Sequence, residues 1–223
     1  MRPDRAPPEL WAWPIMALEG GGELVQRPAG WELTLGPVGD HGRPRWRPSP
    51  PAGDNAEALV RSVLVASGGL GPFVVLPWAV RSQADGERLM ALVGVARARP
   101  AGEIAVPLVP AGYVVDTARR VADAGHRRAA AGEPYLHRLA VRRLDLGEGD
   151  LVLLAPVPVR IGQPWLDEMA ALGLGRTSTV ARAVASRQLA SRLRAAGVTH
   201  ATGTVLGKPV RTRLGGAGAG LRA

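Results

Sequence analysis

No cysteine occurs in the 223 residues. That excludes disulfides, thiolate metal ligands and cysteine nucleophiles, and leaves the redox compartment open. Aromatic residues are scarce, with one Phe (Phe73), two Tyr (Tyr113, Tyr135) and six Trp, so a core built from this chain is mostly Leu, Val and Ala. No stretch reaches the roughly 18 consecutive apolar residues of a membrane-spanning helix. The start, Met1-Arg-Pro-Asp-Arg5 followed by Pro7-Pro8, has no apolar segment of signal-peptide length. A cytoplasmic protein without a membrane partner is expected. Lysine is almost missing (Lys208 alone) and Asn55 is the one asparagine, while Gly, Ala, Arg and Pro abound. Such usage is that of a high-GC bacterium, so part of the arginine content reflects codon supply.

Acidic residues are absent after Glu168, and codon supply does not explain this, because GC-rich codons serve Asp and Glu as well. The segment from Met169 to Ala223 carries Arg176, Arg182, Arg187, Arg192, Arg194, Lys208, Arg211, Arg213 and Arg222 and no carboxylate, so the whole formal charge of +9 sits there. One-sided charge of this kind points to a polyanionic partner, either nucleic acid or an acidic protein surface.

The rest of the chain has ordinary globular composition, 46% apolar and 21% charged, and enough length for a proper core. Two short strands, Leu10–Leu18 and Trp31–Leu35, flank Gly20-Gly21-Gly22, and Trp11, Trp13 and Trp31 are placed to pack together. Residues 37–54 read as a Pro/Gly/Arg loop containing Arg43-Pro-Arg-Trp-Arg47, a basic and aromatic mixture suited to gripping phosphates or to covering a sheet edge. Asp54 caps a helix to about Ala66. A hairpin is predicted for Phe73–Val80 and Arg88–Ala96, turning at Ala84-Asp85-Gly86, then a strand over Glu103–Val109 and a helix from Asp116 to about Ala131. A second hairpin pairs Leu136–Leu144 with Asp150–Val159, and the latter, apolar on both faces, belongs inside a sheet. Helices follow over Trp165–Leu172 and from Thr177 or Ser178 to Ala196, closed by Gly197. A weak hairpin spans Thr199–Leu206 and Val210–Leu214. The expected fold is α+β, a mostly antiparallel sheet with flanking helices and a helical, basic C-terminal segment. The expected division is a body over 1–160, a basic module over 161–214 and a flexible tail over 215–223.

Within the C-terminal segment, Asp167 to Val184 places a glycine turn between two helical stretches, the second opening on Arg176, Thr177, Ser178 and Thr179. This resembles a helix-turn-helix, with Thr199–Arg213 as the wing of a winged variant. The resemblance implies that the second helix enters a DNA groove, with phosphate and base contacts from its first turn and from Arg182, Arg187, Arg194, Lys208, Arg211 and Arg213. Its spacing departs from the usual one, since Thr179 falls where an apolar residue is expected. A plain helical hairpin is the alternative. Leu174-Gly-Arg-Thr177 and Leu206-Gly-Lys-Pro-Val210 are also similar to the end of chorismate lyase-like domains, which implies a small-anion pocket. Without a carboxylate after Glu168 that resemblance does not extend to lyase activity.

Other constellations are weaker. Asp145, Glu148 and Asp150 group oxygens that a hard cation would accept, but a hairpin turn explains them. His41, His126, His137 and His200 have no metal-ligand spacing. The glycine runs Gly20–Gly22 and Gly68–Gly71 match no phosphate-binding fingerprint. The sequence therefore predicts a nucleic-acid-binding protein rather than an enzyme, with no catalytic residue, no cofactor and no metal. The alternatives are a structural or adaptor subunit of a larger assembly and a small-anion-binding α+β domain.

Overall fold

A computed structural model describes residues 10–18, 28–35, 73–77, 79–95, 104–109, 114–132, 144–156, 164, 167 and 178–212. The first strand, β1 (Leu10–Ala17), buries both its faces: Trp13 and Ile15 point one way, Ala12 and Met16 the other, and all four are at most 6% exposed. A strand with no polar face belongs where both sides are covered. β2 (Gly30–Leu35) runs antiparallel to it, from Leu10↔Leu35 to Ile15↔Gly30. Thereafter every neighbour is parallel. β3 (Val74–Val75), β4 (Ile104–Leu108), β5 (Arg127–Gly132), β6 (Leu151–Pro156), β7 (Ser178–Arg182) and β8 (His200–Ala201) add one after another in chain order. β8 then pairs antiparallel with β1 through Met16↔Ala201, which closes the sheet on itself. The result is an eight-stranded mixed barrel of TIM-like form.

The eighth position is made in two pieces. β9 (Val210–Thr212) lies on the same edge of β1 as β8, paired from Leu10↔Thr212 to Ala12↔Val210. Between the two pieces the chain detours through Thr202–Pro209, opposite Pro14. Proline has no N–H for a ladder, and Gly207 sits so close that a Cβ there would lie 2.5 Å from Pro14 Cγ.

Two cores follow from closure. Inside the barrel, Ile15, Phe73, Val75, Ala105, Ala129, Ala131, Leu151, Leu153 and Val180 form one cluster. Outside it, the opposite strand faces (Val74, Val106, Leu108, Ala130, Val152, Leu154, Ala181) pack against α1 (Gln83–Val95), α2 (Val115–Asp123) and α3 (Arg187–Ala195), which contribute Leu89, Leu92, Ala118, Val121, Leu189 and Leu193. Among the described residues no helix is long and apolar enough to cross a membrane.

This architecture replaces the expected antiparallel α+β sheet, and several elements change with it. The Asp85-Gly86 pair is not a hairpin turn but the first turn of α1. Ser82 Oγ accepts from the Asp85 amide at 3.1 Å and the Asp85 carboxylate accepts from the Arg81 amide at 3.2 Å, capping the helix. Gly86 is there because α2 comes close: a Cβ would lie 2.2 Å from Thr117 Oγ1. The helix expected from Asp116 to Ala131 stops at Asp123, turns at Gly125 (φ 76°) and becomes β5. Alanine has poor strand propensity, but Ala129 and Ala131 are buried inside the barrel beside Leu151 and Leu153 of the neighbouring strand. β6 lies inside the sheet, as its two apolar faces require, and its partners are the parallel strands β5 and β7 rather than a hairpin arm. Ser178 does not cap a helix. Ser178–Arg182 is extended as β7, and the helix begins at Arg187 behind Ser186, whose Oγ accepts from the Leu189 amide at 3.1 Å. Gly197 (φ 86°) follows its last turn. The expected final hairpin is absent too, because β8 and β9 both pair with β1. The helices expected over 54–66 and 165–172, the strand arm 136–143, the loop 37–54 and the tail 215–223 lie outside the described residues, apart from Asp167.

Candidate functional site

In parallel barrels, functional groups gather at the C-terminal ends of the strands. Because β1 runs against the others, its beginning, with Trp11 and Trp13, lies at that same end. Strand alternation sends Trp11, Trp13 and Ile15 inward from β1, Glu32 and Thr34 inward from β2, and Val180 and Arg182 inward from β7. Trp13 Nε1–H donates to Thr34 Oγ1 at 3.1 Å. Trp31 faces the other way, onto the outer core, so the three tryptophans do not form one cluster.

Glu32 is the one carboxylate on any described strand, and it is only 3% exposed. Its Oε1 lies 3.5 Å from the Arg182 Nη1 atom, across the barrel from β7, in an ion pair whose side chains are 11% and 4% exposed. Arg182 also donates through Nε to the Leu154 carbonyl on β6, which fixes the guanidinium between strands. Glu32 Oε2 and Trp11 Nε1 are buried and have no hydrogen-bond partner among the described residues. Burial raises the Glu32 pKa from 4.5 to about 7, against the lowering effect of the Arg182 charge and hydrogen bond. Near neutral pH the group is thus poised between acid and carboxylate.

Among the described residues four further parallel strands end on apolar or small residues, whereas β8 is followed by Thr202, whose buried Oγ1 has no hydrogen-bond partner among the described residues. β3 ends at Val75-Leu76, β4 at Pro107-Leu108, β5 at Ala131-Gly132 and β6 at Ala155-Pro156. Among the described residues no three His, Asp or Glu side chains come together as a metal site. At the opposite end of the barrel, Arg127 covers the Phe73 ring at 5.0 Å and donates to the Gly149 carbonyl at 2.8 Å. There the acidic turn has its explanation. Asp150 accepts from the Arg128 amide at 2.8 Å, from the Arg128 guanidinium at 2.6 Å and from the Gly147 amide at 2.9 Å, clasping β5 to β6, while Asp145 and Glu148 are exposed.

The residues expected to hold nucleic acid are dispersed. Ser178 and Thr179 lie on β7, and Thr179 is buried in reciprocal hydrogen bonds with Thr199 of 2.9 and 3.0 Å. Arg182 points into the barrel. Arg187 and Arg194 are exposed on α3, Lys208 is exposed on the Thr202–Pro209 detour and Arg211 is exposed on β9. Arg176, Thr177 and Arg213 lie outside the described residues. The helix-turn-helix reading falls with the strand at Ser178–Arg182, and with it the nucleic-acid function built on that reading. Glu32 and Thr34 were passed over in the sequence, and Trp11 and Trp13 were read only as packing partners of Trp31. The legible signal was a lone acid between apolar neighbours in a strand, Trp31-Glu32-Leu33.

No protein-family model and no curated protein matches the sequence. Solved structures do match the fold. An EAL domain protein from Listeria monocytogenes superposes with a TM-score of 0.66 at 13% identity, over 92% of this chain and 89% of that one. The PaMucR phosphodiesterase in complex with c-di-GMP gives 0.64 at 13% identity, over 92% and 97%. The Klebsiella pneumoniae BlrP1 complex with manganese and cyclic di-GMP gives 0.62 at 14% identity, over 96% of this chain and 58% of that one. The closed mixed barrel of this chain, with its one reversed strand, is the fold of the EAL domain.

Proposed function

We propose that this chain is a signalling barrel of the EAL type that binds a cyclic dinucleotide such as c-di-GMP at the C-terminal mouth and does not hydrolyse it. The binding half rests on fold likeness to proteins described with that ligand. A net charge of +9 also favours a bis-phosphodiester anion, and Trp11 at the mouth offers a ring on which a base stacks.

The non-hydrolytic half rests on one observation, the Glu32–Arg182 ion pair. Metal-assisted phosphodiester hydrolysis needs protein ligands for the ion, commonly one or two carboxylates that are free to coordinate it. A manganese ion of the kind named with BlrP1 does not fit the described interior. Its one strand carboxylate already faces a guanidinium, and among the described residues no other carboxylate stands on a strand.

The test is isothermal titration calorimetry with c-di-GMP in EDTA, followed by chromatography of c-di-GMP incubated with the protein and Mg2+ or Mn2+. Saturable binding in EDTA with no linear product is expected. No binding ends the reading. Metal-dependent turnover lost in Glu32→Gln makes the chain a hydrolase instead.

A further inference from the structure

The interior of the mouth holds a carboxylate and a cation of its own. Glu32 and Arg182 come from strands far apart in sequence, meet inside the barrel, and are shielded from water on both sides of the pair. Arg182 is held a second time by the Leu154 carbonyl, so its charge has a fixed position. A guanidinium remains protonated at every physiological pH, and no chelator removes it. It is also no Lewis acid, because it offers hydrogen bonds but no open coordination position.

We propose that the Arg182 guanidinium is this barrel's built-in replacement for a divalent cation. It neutralises Glu32 whenever that group is ionised, repels any metal ion that approaches the carboxylate, and leaves this pair indifferent to Mg2+ and Mn2+. The proposal deepens the binding reading above, because it keeps the described interior of the mouth free of metal. It is nonetheless tested without any nucleotide.

Four proteins are compared after EDTA treatment and desalting: wild type, Glu32→Gln, Arg182→Glu and the variant with both changes. Mn2+ is added, free ion is counted by electron paramagnetic resonance, and melting is followed in parallel. Wild type and Glu32→Gln are expected to give the same Mn2+ titration and the same Mn2+ response in melting. Arg182→Glu puts a second carboxylate where the guanidinium stood. It is expected to take up Mn2+ and to melt higher with Mn2+ than with EDTA, and to lose both effects when Glu32→Gln is added.

Wild-type Mn2+ uptake that disappears in Glu32→Gln overturns the proposal. So does a folded Arg182→Glu protein that ignores Mn2+. If Arg182→Glu does not fold, the comparison of wild type with Glu32→Gln decides alone. A chain that binds no c-di-GMP in EDTA yet shows no Glu32-dependent uptake of Mn2+ refutes the binding reading and leaves this one standing.

Discussion

Glu32 carries two consequences that measurement reads separately. The first is a pH dependence. Its folded pKa, about 7, stands above the 4.5 of the free group. Between these values the folded chain holds a proton that the unfolded chain has released, so stability falls as pH rises through that window and is flat outside it. The full effect is at most about 3 kcal/mol. Urea denaturation from pH 4 to 8 should show this slope in wild type and not in Glu32→Gln; parallel curves for the two proteins refute it. The second is pairing. Arg182→Met removes the counter-charge and favours protonation of Glu32, so it should cost stability increasingly as pH rises above 7, up to about 3–5 kcal/mol, whereas Glu32→Leu combined with Arg182→Met should recover most of the loss. A double-mutant cycle measures the coupling, and additive losses would mean that the pair contributes nothing as a pair.

Elements are where sequence and structure part most clearly, and the reasons are local. The strands at Leu10–Ala17, Trp31–Leu35, Ile104–Leu108 and Leu151–Pro156 were legible because their apolar runs are short and bounded by turn residues. Their parallel pairing was not legible, because residues 88–95, part of the crossover helix α1, read as a hairpin arm, and Ser178–Arg182 read as a helix instead of the strand β7. Asp85-Gly86 misled because the same dipeptide that makes a hairpin turn also serves a helix N-terminus, and only the nearness of Thr117 on α2 reveals why glycine is required. That contact predicts an unusual sign. On an isolated helix Gly86→Ala gains about 1 kcal/mol. Here it should lower the melting temperature, and Thr117→Ala, which removes Oγ1, should restore part of the loss. A rise in melting temperature for Gly86→Ala alone would refute the close approach. For α3, Ser186→Ala removes the hydroxyl that accepts from Leu189 and should cost about 1 kcal/mol in chemical denaturation.

At the scale of the molecule, closure decides how the basic C-terminal stretch behaves. Its charge asymmetry suggests a separable module, but β7, β8 and β9 belong to the same sheet as β1, and β8 is the strand that joins the two ends of the barrel. Truncation after Glu168 would remove all three strands together with α3. It would leave β6 and one edge of β1 with unpaired ladders, and such open edges invite aggregation. It would also take Val180, Ala181, Val184, Leu189 and Leu193 out of the two cores, each of them at most 5% exposed. Each large aliphatic residue lost from such a core costs roughly 2–5 kcal/mol, and a whole domain has only about 5–15 kcal/mol to lose. The truncated chain should therefore show no cooperative melt by circular dichroism and should elute as aggregate. A soluble, cooperatively melting 1–168 fragment would show instead that the first six strands fold alone and that the last 55 residues are an appendage, which the β1–β8 ladder argues against.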